Sequence, residues 1–571
     1  MEEKLSKQAS EVGTMEQQLE TTTKDKDGEH EHNVVIKGDD SDGKLDWSVR
    51  AFVAYLSLCF VYTGSQMPLY FCAGGTSYII EDIGGSTTSS WLPVAYTLSA
   101  AIPIPFTGYL QDIFGRRPIA LASTVLVIVG SIIMGTAHSF GQAVVAMTLC
   151  GIGAGVAELS ALAGITEVVP IRARGYSVAI MTAIATPLGP YVLYCQLLAT
   201  RATWRWGFWI VCIYQGIALV GVALLYFPSK HSRLVGLRRR DIIRDIDYIG
   251  GLLSLAGLTL LLVALQNGGY LHPWKSAAVL APLITGIFGL VAFVVWEMRF
   301  AKVPIAPPEL FRRRVIRMAF IISFIAGMNF YSLTNFAPTY FSSVYPADPI
   351  LVGGRGAGMP TANIFGAVFG NWFISRFPKY ARWSIAASCI TMTAFIGSIA
   401  AGNPTNPGFV TAATVVAGFA VGGLIVPAAT IATIACPDDM IATTAALTLA
   451  VRAIGGSIGF TIYYNIFVNK LNAKLPAEIA TYAIQAGLPV DSATEFVTTL
   501  LTNPASLTTV NGVNSTIIAA GALGSQWAFA DSLKYIFYTS IPFGVLAIVA
   551  AFFLGDIVPY MTNRIVATLN H

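Results

Sequence analysis

The sequence predicts an all-α polytopic membrane protein, and three observations carry that expectation. Mean hydropathy is +0.63. Asp, Glu, Lys and Arg make up only 12% of the 571 residues, about half the ~25% of a soluble domain. Stretches of about 20 residues recur without a charge, the length a helix needs to cross a bilayer core. These runs are continuous rather than alternating, so they read as helices and not as barrel strands.

Fourteen spans follow: 51–71, 90–110, 118–138, 141–165, 176–198, 206–227, 247–266, 276–297, 317–340, 356–376, 383–401, 409–433, 441–467 and 531–553. Residues 1–46 are polar, lack the apolar core of a signal peptide and read as a disordered cytosolic tail. With that tail inside, the loops on its side carry roughly threefold more Lys and Arg than the outer loops, so both termini are expected in the cytosol. The domains expected are an N-terminal six-helix bundle at 47–227, a linker with two extra spans at 228–316, a C-terminal six-helix bundle at 317–553 and a cytosolic tail at 554–571. Residues 468–530 are too polar to span and are expected to form a long outer loop, either plain or capping the outer face. This loop holds the sequon Asn514-Ser515-Thr516, so Asn514 is a candidate glycosylation site.

The tight turn between spans 2 and 3 reads GYLQDIFGRRP (108–118). Gly108 permits close helix approach, Asp112 ends the span facing backbone donors or Arg, and Gly115 permits the turn. Arg116 and Arg117 are expected to anchor the cytosolic edge. This G-x-L-x-D-x-x-G-R-R pattern resembles the loop between helices 2 and 3 of the major facilitator superfamily. It departs from that pattern at Gln111 and Ile113. The resemblance implies the major facilitator fold, two six-helix bundles plus, here, two extra central helices. It also implies that Asp112, Gly115, Arg116 and Arg117 brace the two halves on the cytosolic side, with Asp112 stabilising the outward-open state.

TPLGPYVLYCQ (186–196), with Gly189 and Pro190, resembles the antiporter signature of the family, although Leu193 and Tyr194 stand where it has Gly-Gly. Asp247-Tyr248-Ile249-Gly250 resembles the start of the extra helix pair in the fourteen-span drug:proton antiporter group. ELSALA in span 4, the aromatic belt TWRWGFW (203–209) and YTSIPFG (538–544) make the chain similar to the fungal trichothecene efflux pump and siderophore transporter branch. The halves also look related: VRAIGGSIG (451–459) in span 13 answers the Gly-Pro of span 5, and ISRFPKYAR (374–382) after span 10 answers the GRR turn, without its Asp.

Ionisable groups at membrane depth cost about 2.5–3.5 kcal/mol to insert, which makes Glu158 and Arg452 functional candidates. Glu158, expected in the cytosolic third of span 4, is the candidate proton-coupling group, with Asp112 as a second. The equally weighted alternative for Glu158 is a structural ion pair. Arg452 is read as binding an anionic group or neutralising an acid of the facing half. Glu167 and Glu297, at span ends, are expected at the interface. Tyr62, Gln66 and Tyr70 share one face of span 1. With Tyr194, Asn329, Asn335, Asn363 and Arg452 they are the expected substrate-binding lining, and interhelical hydrogen bonding is the alternative for each.

Seven scattered Cys without a C-x-x-C pair read as small buried hydrophobes, with no metal site. No GxxxxGK[ST], HExxH or nucleophile elbow is present, so the sequence points to a non-enzymatic transporter without cofactors and without nucleic-acid partners. The expected function is proton-coupled export of amphipathic toxins, drugs or secondary metabolites by a monomer in the plasma membrane, with the vacuolar membrane as the other location. Uptake of iron–siderophore chelates and a non-transporting sensor are the alternatives.

Overall fold

Every apolar run folds as helix in the computed structural model, which describes residues 48–84, 91–228, 246–269, 272–345, 349–502, 507, 510, 512–563 and 565. The tail at 1–46, most of the basic loop at 228–246 and the last residues of the 554–571 tail lie outside the described residues. In chain order the helices are α1 (Val49–Ile83), α2 (Trp91–Ala101), α3 (Ile104–Phe114), α4 (Arg116–Gly135), α5 (Phe140–Val168) and α6 (Arg174–Ile184). Then come α7 (Tyr191–Arg201), α8 (Arg205–Leu225), α9 (Tyr248–Asn267), α10 (Ala277–Arg299), α11 (Pro308–Arg312) and α12 (Arg314–Ser343). The last six are α13 (Pro349–Arg376), α14 (Ala381–Ile399), α15 (Pro407–Ala435), α16 (Ile441–Gln485), α17 (Ala493–Thr502) and α18 (Ser515–Phe552).

All fourteen expected spans coincide with a helix or a broken pair of helices. Among the described residues, ten helical stretches are long and apolar enough to cross a bilayer by length and composition alone. Their starts are set by local chemistry. The Ser48 hydroxyl accepts from the Ala51 amide at 3.2 Å, and the Asp247 carboxylate from the Gly250 amide at 2.8 Å, so each supplies an acceptor to an otherwise unpaired first-turn N–H.

Three expected boundaries differ. Span 2 is not one helix: the IPIP run at 102–105 breaks it between α2 and α3, because proline removes a backbone donor and clashes with the preceding turn. Span 5 breaks likewise at Thr186–Leu188, a 3₁₀ turn running into Gly189 and Pro190. The expected long loop at 468–530 is largely helical. α16 continues without interruption to Gln485, and α18 begins at Ser515. Lys470, Lys474 and Glu478 end the apolar span but do not end the helix, since alanine and the long-chain polar residues are good helix formers. Ile479, Ala483, Phe496, Val497 and Ile517 pack these extensions and α17 into a small apolar core of their own. Lys474 and Lys534 both reach the Asp531 carboxylate, each at 2.8 Å, tying α16 to α18.

We call the end of the bundle that carries the 115–116 turn the near end, and the end that carries α17 the far end. α1–α8 build one half, with cores around Leu58, Leu162 and Val222 and around Met67, Met147 and Phe208. α12–α16 and α18 build the other, around Ile325, Met392, Leu424 and Phe537. α9 and α10 pack on one another. They lean on the first half at Phe106 and Tyr109, and on the second where the Thr461 hydroxyl donates to the Leu265 carbonyl at 2.9 Å.

Small residues let backbones touch where dispersion and shape, not hydrophobicity, must hold helices together. α13 crosses α15 this way: a Cβ at Gly422 would collide with the Asn363 carbonyl, and one at Gly366 with the Phe419 carbonyl. Gly422→Ala is therefore expected to destabilise the second half by at least about 1–3 kcal/mol, the cost of overpacking. It should lower the temperature at which the peak of the detergent-solubilised protein disappears from size-exclusion chromatography. Gly408→Ala on the same helix, where a Cβ meets open space, should leave that temperature unchanged or raise it.

Candidate functional site

At the near end the two halves are joined through one carboxylate. Asp112, 2% exposed at the last turn of α3, accepts from the Thr443 amide at 2.8 Å, the Ala442 amide at 3.2 Å and the Thr443 hydroxyl at 2.6 Å. Ala442 and Thr443 open α16, so an acid of the first half caps a helix N-terminus of the second, where free N–H groups and the helix dipole favour negative charge. Gly108 makes this possible, because a Cβ there would strike Ala446 and lie 2.9 Å from the Ala442 carbonyl. Gly115 turns the chain with φ 88°, a conformation open to glycine.

Arg116 donates to Asp112 at 2.8 Å, to the Gln111 carbonyl at 3.2 Å, and to Glu167. Its expected place at the water edge is therefore corrected. Arg116 is buried, because two carboxylates offset its desolvation. Arg117 keeps an edge position, donating to the Ala223 carbonyl at 2.7 Å and lying over the Phe227 ring at 3.8 Å. Glu167 and Glu297 are likewise buried rather than interfacial; Glu297 accepts from the Ala306 amide at 3.0 Å.

A second near-end link comes from Arg174, wholly buried at the start of α6. It donates to the Thr166 carbonyl at 2.8 Å and to the Thr433 carbonyl near the end of α15 in the other half. The turn after span 10 carries no acid in the place of Asp112. Ser375, beside Gly175 at the start of α6, has a buried hydroxyl with no hydrogen-bond partner.

Along the α6–α7 and α13 seam the fit loosens toward the far end. Cβ atoms at Gly175 and Gly189 would come within 2.5 Å of Asn371 and Thr361, whereas those at Gly353 and Gly356 would sit 3.6–3.9 Å from their neighbours. The Gly189-Pro190 signature thus breaks span 5 and brings it onto α13.

Midway through the bundle, Arg452 Nη2 meets Glu158 Oε1 at 2.9 Å, joining α16 to α5 and so one half to the other. Arg452 lies 11 residues into α16, roughly 16 Å from its start, and Glu158 lies 10 residues before the end of α5, roughly 15 Å. Both are near the centre of a ~30 Å core, deeper than the cytosolic third expected for Glu158. From Gly153 to Ile171 Glu158 alone is not fully buried, so it faces a central cleft. Tyr62, Tyr70, Tyr96 and Tyr331 lie within electrostatic reach of it. Tyr70 stacks on Tyr191 with centroids 4.7 Å apart. Gln66 shares the half-buried face of Tyr62 and Tyr70 and donates to the Ser65 hydroxyl at 3.2 Å.

Of the other expected lining residues, two bond between helices of the second half and two are exposed. Asn329 is 1% exposed and sits inside the second half between Met392 and Tyr463, at 3.6 and 3.4 Å. Asn335 is exposed and donates to the Tyr331 carbonyl of its own helix at 2.7 Å. Asn363 donates across α13–α15 to the Gly418 carbonyl at 3.4 Å. Tyr194 is 37% exposed on α7. The interhelical alternative holds for the first and third. Tyr96, Tyr191 and Tyr331 are not among the expected lining residues; Tyr191 follows Gly189-Pro190 inside the TPLGPYVLYCQ stretch, whereas Tyr96 and Tyr331 carry no motif.

Two helical halves meeting about a half-buried ion pair, latched at one end, define a membrane transporter of the major facilitator type. Solved structures agree on the fold. The human organic anion transporter MFSD10 (TETRAN) aligns at 13% identity with a TM-score of 0.51, over 88% of this chain and 98% of that one. The proton:xylose symporter XylE aligns at 13% identity with a TM-score of 0.50, over 91% of this chain and 98% of that one. The sequence model of the family described as "Fungal trichothecene efflux pump (TRI12)" matches residues 35–570, and the chain belongs to that family. It is 26% identical over 533 residues to a trichothecene efflux pump of Fusarium sporotrichioides, covering 91% of this chain and 88% of that protein. It is 27% identical over 484 residues to the MFS-type efflux transporter ffsH of Aspergillus flavipes, covering 83% and 82%. Family and fold are those of transporters, not enzymes.

If Asp112 holds the near end shut, Asp112→Asn should loosen the first turn of α16. A hydrogen bond to a charged group is worth about 1.5–3 kcal/mol, so amide exchange at Ala442 and Thr443 should accelerate about tenfold or more. Hydrogen–deuterium exchange of the purified protein reads this directly, and unchanged exchange there would remove the latch.

Proposed function

We propose that the protein is a proton-coupled exporter of amphipathic toxins, drugs or secondary metabolites, working by alternating access. The observation that carries this reading is the Glu158–Arg452 pair. It is the charge–charge contact between the halves at mid-depth among the described residues, and it opens to a cleft walled by Tyr62, Tyr70 and Tyr331. A proton on Glu158 removes the attraction to Arg452 and loosens one tie between the halves. Arg452 keeps its charge at any physiological pH. Tyrosine faces and hydroxyls suit a ligand with one apolar and one oxygenated side. The family's name and the relatives named as efflux pumps favour export over uptake of an iron–siderophore chelate or a sensor role.

The near end is taken as cytosolic, because Arg116, Arg117, Arg174 and Arg313 cluster there, as do the other basic loops. The described state is then closed toward the cytosol and looser toward the outside. Protonation of Glu158 from outside favours opening of the cytosolic end, proton release there, and loading with substrate. Asp112, its carboxylate saturated by four donors, is assigned the latch rather than proton transfer. A monomer in the plasma membrane with both termini cytosolic fits this cycle. Asn514 would be glycosylated on the outer side; it is exposed, and its side-chain oxygen caps α18 at 2.9 Å from the Ile517 amide.

In inside-out vesicles, a pH gradient acid inside should drive uptake of a radiolabelled trichothecene. Glu158→Gln should abolish the dependence on the gradient while exchange down a substrate gradient persists. Gradient-driven uptake by Glu158→Gln equal to that of the parent protein would end the proposal.

A further inference from the structure

The lipid-facing side of the α6–α13 seam carries a groove of about 640 Å³ that transport leaves unused. Tyr176 and Ile180 of α6 form one wall, Phe365, Phe369 and Trp372 of α13 the other, and Phe419 of α15 the floor. Its large apolar side chains stay well exposed, Ile180 at 52%, Phe365 at 52% and Phe369 at 48%, so nothing among the described residues covers them.

The groove is graded. α6 leaves the near end as α13 arrives at it, so the two run antiparallel, with Gly175 against Asn371. Tyr176 and Trp372 therefore mark its near end, the depth at which amphipathic rings sit at headgroup level. About one turn further out lie Arg172, four residues before Tyr176, and Arg376, four residues after Trp372. Both are exposed. The opposite seam neutralises its arginine with Asp112 and Glu167. Here, among the described residues, neither arginine is in an ion pair; Arg376 lies over the Phe377 ring at 5.2 Å.

We propose that this groove is a binding site for an anionic phospholipid of the near-end leaflet. One acyl chain lies between α6 and α13 against Phe365, Phe369 and Phe419. The phosphate meets Arg172 and Arg376, where guanidinium forks offer paired donors to phosphate oxygens. Because α6 belongs to one half and α13 and α15 to the other, a lipid seated here touches both and favours the state in which the near end is closed. The proposal does not depend on substrate or coupling ion.

Full-length protein in detergent is titrated with palmitoyl-oleoyl phosphatidylglycerol, or with the phosphatidylcholine of the same chains, and bound lipid is counted by native mass spectrometry. Phosphatidylglycerol should bind in preference. Arg172→Ala/Arg376→Ala should bind it about thirtyfold more weakly, the worth of two interfacial charges, with phosphatidylcholine binding unchanged. Arg382→Ala, at the same end but away from the groove, should bind as the parent does. Equal binding of the two lipids, or an undiminished preference in the double variant, would overturn the site. So would full competition by chain-free glycerophosphoglycerol, which would make it a pocket for a soluble anion.

Discussion

A buried carboxylate needs partners, and Asp112 finds them on the other half of the molecule. That constraint organises the near end. The Thr443 and Ala442 amides and the Thr443 hydroxyl satisfy Asp112 only while α3 and α16 touch. Parting the halves takes away three of its four donors and leaves Arg116 alone, and each hydrogen bond to a charged group is worth about 1.5–3 kcal/mol. Such a contact has two stable arrangements, made or hydrated, with little between, which is what a gate requires. Arg116 keeps the acid in place and is itself held by Glu167, so the latch is preorganised within the first half and merely received by the second.

The mid-depth pair has a different character. Glu158 and Arg452 come from opposite halves and neither is fully enclosed, so their attraction responds to whatever enters the cleft. The backbone of Arg452 is wedged against Gly327, which fixes where its guanidinium can reach. The two seams are not equivalent. One closes on a charged cap, the other on the Arg174 guanidinium and a serine without a partner.

Much of this was legible in the sequence because membranes simplify the code. Charge-free runs located the helices of all fourteen expected spans but not α11 or α17, and the spacing of Gly108, Asp112, Gly115 and Arg116 located the latch. Composition could not show that α16 runs on past the bilayer, since hydropathy reports the solvent of a helix and not its end. Nor could it separate Asn329, which bonds within one half, from Tyr331 two residues later, which faces the cleft; a face shift of about 200° decides that, and only packing fixes its phase. Glu167 looked interfacial because it ends a span. Its burial depends on Arg116, 51 residues away in the chain.

The central claim is that the charge state of Glu158 biases the near end between closed and open. Spin labels at the near ends of α3 and α16, read by double electron–electron resonance in lipid nanodiscs, test it most directly. The account predicts a short distance at alkaline pH, a second, longer distance gaining population as the pH falls, and the longer distance at every pH in Glu158→Gln. A distribution indifferent to pH in the parent protein, and identical in Glu158→Gln, would contradict it.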